Sequence, residues 1–167
     1  MFTKMNVVFI SILLTLFSPF ASSQQGDCID EAALCFQINP LLIKAIIWQE
    51  SKNQQNAITR NKNNTVDVGV MQVNSIHFNT LKGMGITEQA LRENSCANVF
   101  SGTWILRQVI DRHGYTWDGI GRYHSSTPVY HDKYVKNIVS IIAYKSHKIE
   151  KLIIARQNGI RDKFSCK

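Results

Sequence analysis

Two carboxylates in this chain are placed to do acid–base chemistry, Glu50 and Asp67. Glu50 ends the apolar run Leu41-Leu42-Ile43-Lys44-Ala45-Ile46-Ile47-Trp48-Gln49 and is followed by Ser51. A carboxylic acid delivered into apolar surroundings resists ionisation and keeps its proton near neutral pH. A general acid needs that property to protonate the leaving oxygen of a glycosidic bond. The plainer reading of Glu50 is a helix-end glutamate in a surface ion pair, and the apolar helix before it argues against that. Asp67 follows a polar, asparagine-rich stretch. A second carboxylate there suits a nucleophile or a stabiliser of positive charge, and suits equally an aspartate that supports a turn.

The stretch Gly69-Val70-Met71-Gln72-Val73-Asn74 comes next. Glycine lets a backbone approach a ligand closely. Gln72 and Asn74 alternate with Met71 and Val73, so amides face one way and apolar groups the other. Amides both donate and accept, which suits hydroxyl and acetamido groups. A buried strand edge has the same pattern.

These residues need elements to hold them. Asn39 followed by Pro40 starts a helix, with a capping side chain and then proline in the first turn. That helix, Pro40 to Ser51, is apolar nearly all round, so it belongs at the centre of a domain. Leu42, Ile46, Gln49 and Glu50 share one of its faces. An earlier short helix is expected over Asp30 to Gln37, with Ala32, Ala33, Leu34 and Phe36 available for packing. Ala57–Thr59 and Thr65–Val68 read as the arms of a hairpin. A short helix is expected over Asn74 to Leu81 and another after the cap Thr87. A long amphipathic helix spans Cys96 to His113 and closes at Gly114. Trp117 to Tyr123 forms a further short element. From Pro128 the apolar spacing is helical again, ending at Gly159. The expected fold class is α+β, predominantly α, with one small sheet.

At 167 residues the chain reads as one domain behind a leader. Val7 to Phe20 are almost wholly apolar and Ala21-Ser22-Ser23 are small. Residues 1–23 therefore read as a secretory signal peptide, since a membrane span needs roughly 20 apolar residues. The mature domain is 24–167. The formal charge is +7, and removing the leader takes one lysine and no acid, leaving +6. A basic exported protein suits a polyanionic partner such as the cell wall. No basic block alternates with aromatics, which argues against nucleic acid. Export makes disulfides the default for Cys28, Cys35, Cys96 and Cys166, and their number allows three pairings. The absence of C-x-x-C spacing argues against zinc.

Glu50-Ser51, Gly69-Val70-Met71-Gln72 and Gly121-Arg122-Tyr123-His124, in that order, resemble the three motifs of the Slt-type lytic transglycosylases, written E-S, G-L-M-Q and A-Y-N. More closely, the chain is similar to the small exported transglycosylases of secretion, conjugation and pilus systems, the VirB1 and IagB/IpgF type. Asp27-Cys28, Met84-Gly85-Ile86 and Trp117 extend the resemblance, which covers about Cys28 to Tyr144.

The resemblance implies a lysozyme-like fold and cleavage of the β-1,4 bond between N-acetylmuramic acid and N-acetylglucosamine. It implies no cofactor and no metal, peptidoglycan strands as substrate, and periplasmic work beside a type III, type IV or pilus apparatus. Glu50 matches the single acid/base, and Gln72 and Tyr123 match positions that line the glycan groove. Ser51 matches the residue whose hydroxyl holds the site, and Gly69, Met71 and Asn74 complete the expected substrate-binding set. His124 departs from the family's asparagine and stands either as a replacement donor or as an ordinary histidine. A metal held by His113, His124 and His131 is disfavoured.

Asp67 also matches the second aspartate of animal c-type lysozymes, which raises a hydrolase using Glu50 and Asp67 as the alternative. A non-catalytic wall-binding assembly factor is the third reading. The resemblance implies a Cys28–Cys96 bridge, with Cys35 and Cys166 then tying the tail to the first helix. Residues 145–167 lie beyond the resemblance and read either as a partner-docking tail or as a helix packed on the domain.

Overall fold

The computed structural model describes residues 26–166. The expected leader lies outside the described residues. Seven helices and a three-stranded sheet are described: α1 Cys28–Phe36, α2 Pro40–Ser51, β1 Ile58–Arg60, β2 Val66–Val68, β3 Val73–Asn74, α3 Phe78–Gly83, α4 Glu88–Glu93, α5 Ser95–His113, α6 Trp117–Gly121 and α7 Pro128–Ile149. The architecture is mostly helical with a small antiparallel sheet, as expected.

Local chemistry sets the helix starts. The Asn39 carboxamide oxygen accepts from Leu41 N at 2.8 Å, with Pro40 in the first turn of α2. Asn94 caps α5 in the same way through Ala97 N, and Thr87 caps α4 through Ala90 N. Gly114, at φ 89°, ends α5.

α2 is central, as its all-round apolar sequence requires. Ile43, Ala45, Ile46 and Ile47 have no exposed surface. α2 packs chiefly against α7, and α1 against α5. Phe36, Phe100 and Phe164 meet with ring centroids 5.5–6.0 Å apart, joining α1, α5 and the C-terminal tail. Cys28 is bonded to Cys96, and Cys35 to Cys166. The first bridge fastens α1 to α5; the second fastens α1 to the tail.

The sheet runs β1-β2-β3, antiparallel throughout. Asp67 sits at its middle, opposite Thr59 on one side and Asn74 on the other. The hairpin arms lie within a residue of their expected bounds, but the sheet has a third strand where Val73-Asn74 turn back.

Four expectations need correction. The last long helix stops at Ile149, ten residues before Gly159. Beyond it Leu152, Ile154, Ile160 and Phe164 bury themselves along an extended strap, and Ile154 and Ala155 pair with the start of α1. The tail is therefore not the expected packed helix. Ile149, Leu152 and Ile153 keep the three-to-four spacing of a helix, but the chain leaves the helix at Ile149 and Ile153 is 67% exposed. Leu34 is 73% exposed and packs on nothing in the core. The stretch after Asn74 splits into a 3₁₀ turn, Ser75–His77, and α3.

Candidate active site

A groove of about 670 Å³ separates the sheet from the helices. Glu50 enters it from the last turn of α2. Asp67 and Asn74 face it from the sheet and Gln72 from the turn before β3, while Tyr123 and His124 face it from the segment joining α6 to α7 and Tyr130 from the first turn of α7.

Glu50 is the acid expected of an apolar helix end. Its Oε1 is buried and has no hydrogen-bond partner among the described residues. Burial pushes its pKa up to about 7, with the Asp67 charge adding to the rise and Tyr134 and Lys52 opposing it. The Tyr134 hydroxyl, from α7, is likewise buried without a partner of full hydrogen-bond geometry. Glu50 and Tyr134 are thus close enough that a Tyr134 hydrogen bond to the carboxylate pulls the Glu50 pKa down, although the pair falls short of full hydrogen-bond geometry. Burial holds the Tyr134 phenol well above its usual pKa, so it stays a donor. Tyr134 is the site residue that sequence reasoning missed. In the sequence it is only one more large residue in the helical spacing after Pro128.

Asp67 is differently housed. Its Oδ1 accepts from Asn74 Nδ2 at 2.6 Å and its Oδ2 from Asn61 Nδ2 at 2.8 Å. Thr65 Oγ1 ties the same two amides together. Each carboxylate oxygen therefore has an amide donor.

The remaining expected residues divide into those that face the groove and those that build it. Gln72, at φ 50°, lines the groove, but its amide is committed. Its Oε1 accepts from Thr59 Oγ1 at 2.6 Å, and its Nε2 donates to Ala57 O and Gly69 O. Ser51, Gly69 and Met71 do not line the groove. Ser51 is buried and donates to Val70 O at 2.8 Å. The Met71 side chain is fully buried, while its carbonyl accepts from the Tyr123 hydroxyl at 2.9 Å. Gly69, at φ 77°, leaves room for Asn98, whose Nδ2 would lie 2.1 Å from a Cβ there.

Asn98, on α5 and wholly buried, is a second residue the sequence reading missed. It accepts from Met71 N at 2.8 Å and donates to Val68 O and Leu91 O. An asparagine within an amphipathic helix gives no signal of such a role. Side chains from α2, from α5 and from the segment after α6 thus converge on the backbone of residues 68–71. That loop sets Asp67 opposite Glu50.

His124 stacks flat on Tyr134, with centroids 4.8 Å apart and planes 5° from parallel. Burial lowers its pKa and Asp67 opposes the shift, so the imidazole is largely neutral at pH 7. Among the described residues no group of histidines, cysteines and carboxylates is arranged to hold a metal.

A buried acid facing a hydrogen-bonded aspartate, across a groove between a helical body and a small antiparallel sheet, is the arrangement of a lysozyme-like domain. The transglycosylase SLT domain family matches residues 27–137, and the chain belongs to that family. It is similar to invasion protein IagB of Salmonella typhimurium (strain SL1344), 38% identical over 102 residues, which are 61% of this chain and 64% of that protein. It is 33% identical to protein IpgF of Shigella flexneri over 103 residues, 62% of this chain and 68% of the relative. A peptidoglycan-binding-like protein of Escherichia coli O157:H7 is 41% identical over 128 residues, 72% of this chain and 74% of the relative. The match thus spans just under two thirds of the length of IagB.

Proposed function

We propose that this protein is a peptidoglycan lytic transglycosylase. The observation that carries the reading is the carboxyl of Glu50, buried with its pKa near 7 in a groove fit for a glycan. At neutral pH such an acid holds its proton in a large share of molecules and releases it without a large penalty. It donates that proton to the glycosidic oxygen between N-acetylmuramic acid and N-acetylglucosamine as the C1–O bond breaks. The Glu50 carboxylate left behind then takes the proton from the muramoyl C6 hydroxyl. The C6 oxygen bonds to C1, closing a 1,6-anhydro ring, and Glu50 is again protonated.

Asp67, held by Asn61 and Asn74 with both oxygens engaged, stabilises the positive charge that develops at C1. That role fits its fixed hydrogen bonds better than nucleophilic attack, which would have to break them. The Tyr134 hydroxyl is free to bond the Glu50 carboxylate once it forms.

Kinship with IagB and IpgF, together with two disulfides, supports an exported enzyme that works in the periplasm. There it opens the wall locally for an envelope-spanning apparatus. The leader at residues 1–23 belongs to the same proposal.

The second reading is hydrolysis by water with Glu50 and Asp67. It is favoured by one observation, that both carboxylates line one groove. Mass spectrometry of products released from purified sacculi decides between them. Anhydro ends are expected; reducing ends would make the protein a lysozyme-type hydrolase, and no release would make it a wall-binding factor. Glu50→Gln is expected to lower release by about 100-fold or more, in the range of a lost general acid.

A further inference from the structure

A second recess, of about 280 Å³, opens beside the last turn of α2 and shares no residue with the groove. Gln49 and Lys52 line it from the end of α2; Asn137, Ser140, Tyr144 and Lys145 line it from α7. Apart from Lys52, its polar side chains are uncommitted. Among the described residues, Gln49, Asn137, Ser140, Tyr144 and Lys145 make no side-chain hydrogen bond or salt bridge. The groove is the opposite case, where Asn61, Gln72 and Asn74 all spend their amides on the protein itself.

The recess is also basic, with Lys52 and Lys145 both lining it. Lys52 Nζ donates to Trp48 O at 2.6 Å and lies 5.8 Å from the centre of the Trp48 ring, which fixes it in place. One bond leaves two of its ammonium hydrogens free. Lys145 faces it closely enough that, after burial, its charge lowers the Lys52 pKa; Glu50 acts the other way. No carboxylate forms a salt bridge with either lysine among the described residues. Two like charges held together across a recess repel, and an anion placed between them relieves the repulsion. The amides and the Ser140 hydroxyl add donors and acceptors suited to peptide groups. Tyr144, 80% exposed, adds an aromatic face.

The position ties the recess to the acid. Lys52 stands two residues after Glu50, and Tyr134 beside Glu50 is on the same helix as Asn137 and Lys145. At 1.5 Å per residue, these lie about 5 to 16 Å along α7 from Tyr134. An extended peptide of about four residues covers roughly 13 Å.

We propose that this recess is a subsite for the carboxylates of the peptide stem carried by the sugar on which Glu50 acts. The inference rests on reading the groove as a peptidoglycan-cleaving site. Lys52 and Lys145 bind the carboxylates, Gln49 and Asn137 bond the peptide backbone, and the stem then orients the glycan across Glu50.

The test is binding by the full mature Glu50→Gln protein, which holds substrate without cleaving it. Two probes are compared: soluble glycan strands bearing peptide stems, and the same strands stripped by an amidase. Stem-bearing strands are expected to bind about five-fold more tightly, as two partly exposed ion pairs would provide. Adding Lys145→Glu should erase that ratio, while the charge-matched control Lys82→Glu on α3 should keep it. Equal binding of both probes, or a ratio that survives Lys145→Glu, or a ratio lost equally in Lys82→Glu, would overturn the subsite. Release of glycan by the unmutated protein is measured separately. A stem preference without release would sink the enzymatic reading and leave the subsite standing.

Discussion

The Tyr123 hydroxyl donates to the Met71 carbonyl at 2.9 Å, across 52 residues of chain. This one bond joins the segment after α6 to the loop that follows Asp67. With Ser51 on Val70 O and Asn98 on Met71 N, it makes the three sequence motifs a single mechanical unit. Ser51, Asn98 and Tyr123 thus brace the loop that follows Asp67, while Gln72, Tyr123 and His124 also line the groove.

The alkaline limb of the pH profile follows from Glu50. Glycan release should fall as pH rises through about 7, because the deprotonated acid can no longer donate. Stability carries the same signature. The folded pKa, about 7, lies above the ordinary glutamate value of 4.5, so the folded state binds the proton more tightly than the unfolded chain. Stability is therefore lost as pH rises from about 4.5 to 7 and levels off above. The cost above pH 7 is about 3 kcal/mol in order of magnitude. Glu50→Gln should melt higher than the parent at pH 8, and the gap should close by pH 4; thermal melts that run parallel across that range would contradict the buried acid.

Tyr134→Phe should move the limb the other way. The Tyr134 hydroxyl lowers the Glu50 pKa, so its removal raises that pKa and shifts the falling limb to higher pH. Turnover should drop by about ten-fold or more, the worth of a hydrogen bond to a carboxylate formed during the reaction. An unchanged limb with unchanged kcat would show Tyr134 to be packing alone.

Asp67→Asn should shift the limb to lower pH, since the Asp67 charge helps raise the Glu50 pKa. It should also cost about 1 kcal/mol of stability, because the new amide leaves the donor of Asn61 or Asn74 without an acceptor. Full turnover by a folded Asp67→Asn protein would rule out charge stabilisation by this residue.

Gly69→Ala tests the architecture instead of the chemistry. An added Cβ would meet Asn98 Nδ2 at 2.1 Å and Leu91 O at 2.9 Å, on a backbone at φ 77°. The expected loss is about 2–4 kcal/mol, read from the denaturant midpoint. Release should weaken with it, because Asp67 would no longer be held opposite Glu50. A parental midpoint would mean that the loop has slack this packing does not suggest.

Much of this was legible in the residues themselves. An apolar run opened by Asn39-Pro40 reads as a buried helix, and that helix argues for a desolvated Glu50 at its end rather than one in a surface ion pair. Caps at Thr87 and a stop at Gly114 bound their helices for local reasons, since the capping groups lie within a few residues of what they cap. Four cysteines could be counted but pair only through contacts 68 and 131 residues apart. The commitment of Gln72 to Thr59, the burial of Met71, and the reach of Asn98 and Tyr134 into the site all depend on distant segments meeting. Local sequence sets backbone preference and burial tendency; the side chains that share a loop or a proton are chosen by packing, and packing is decided only when the whole chain has closed.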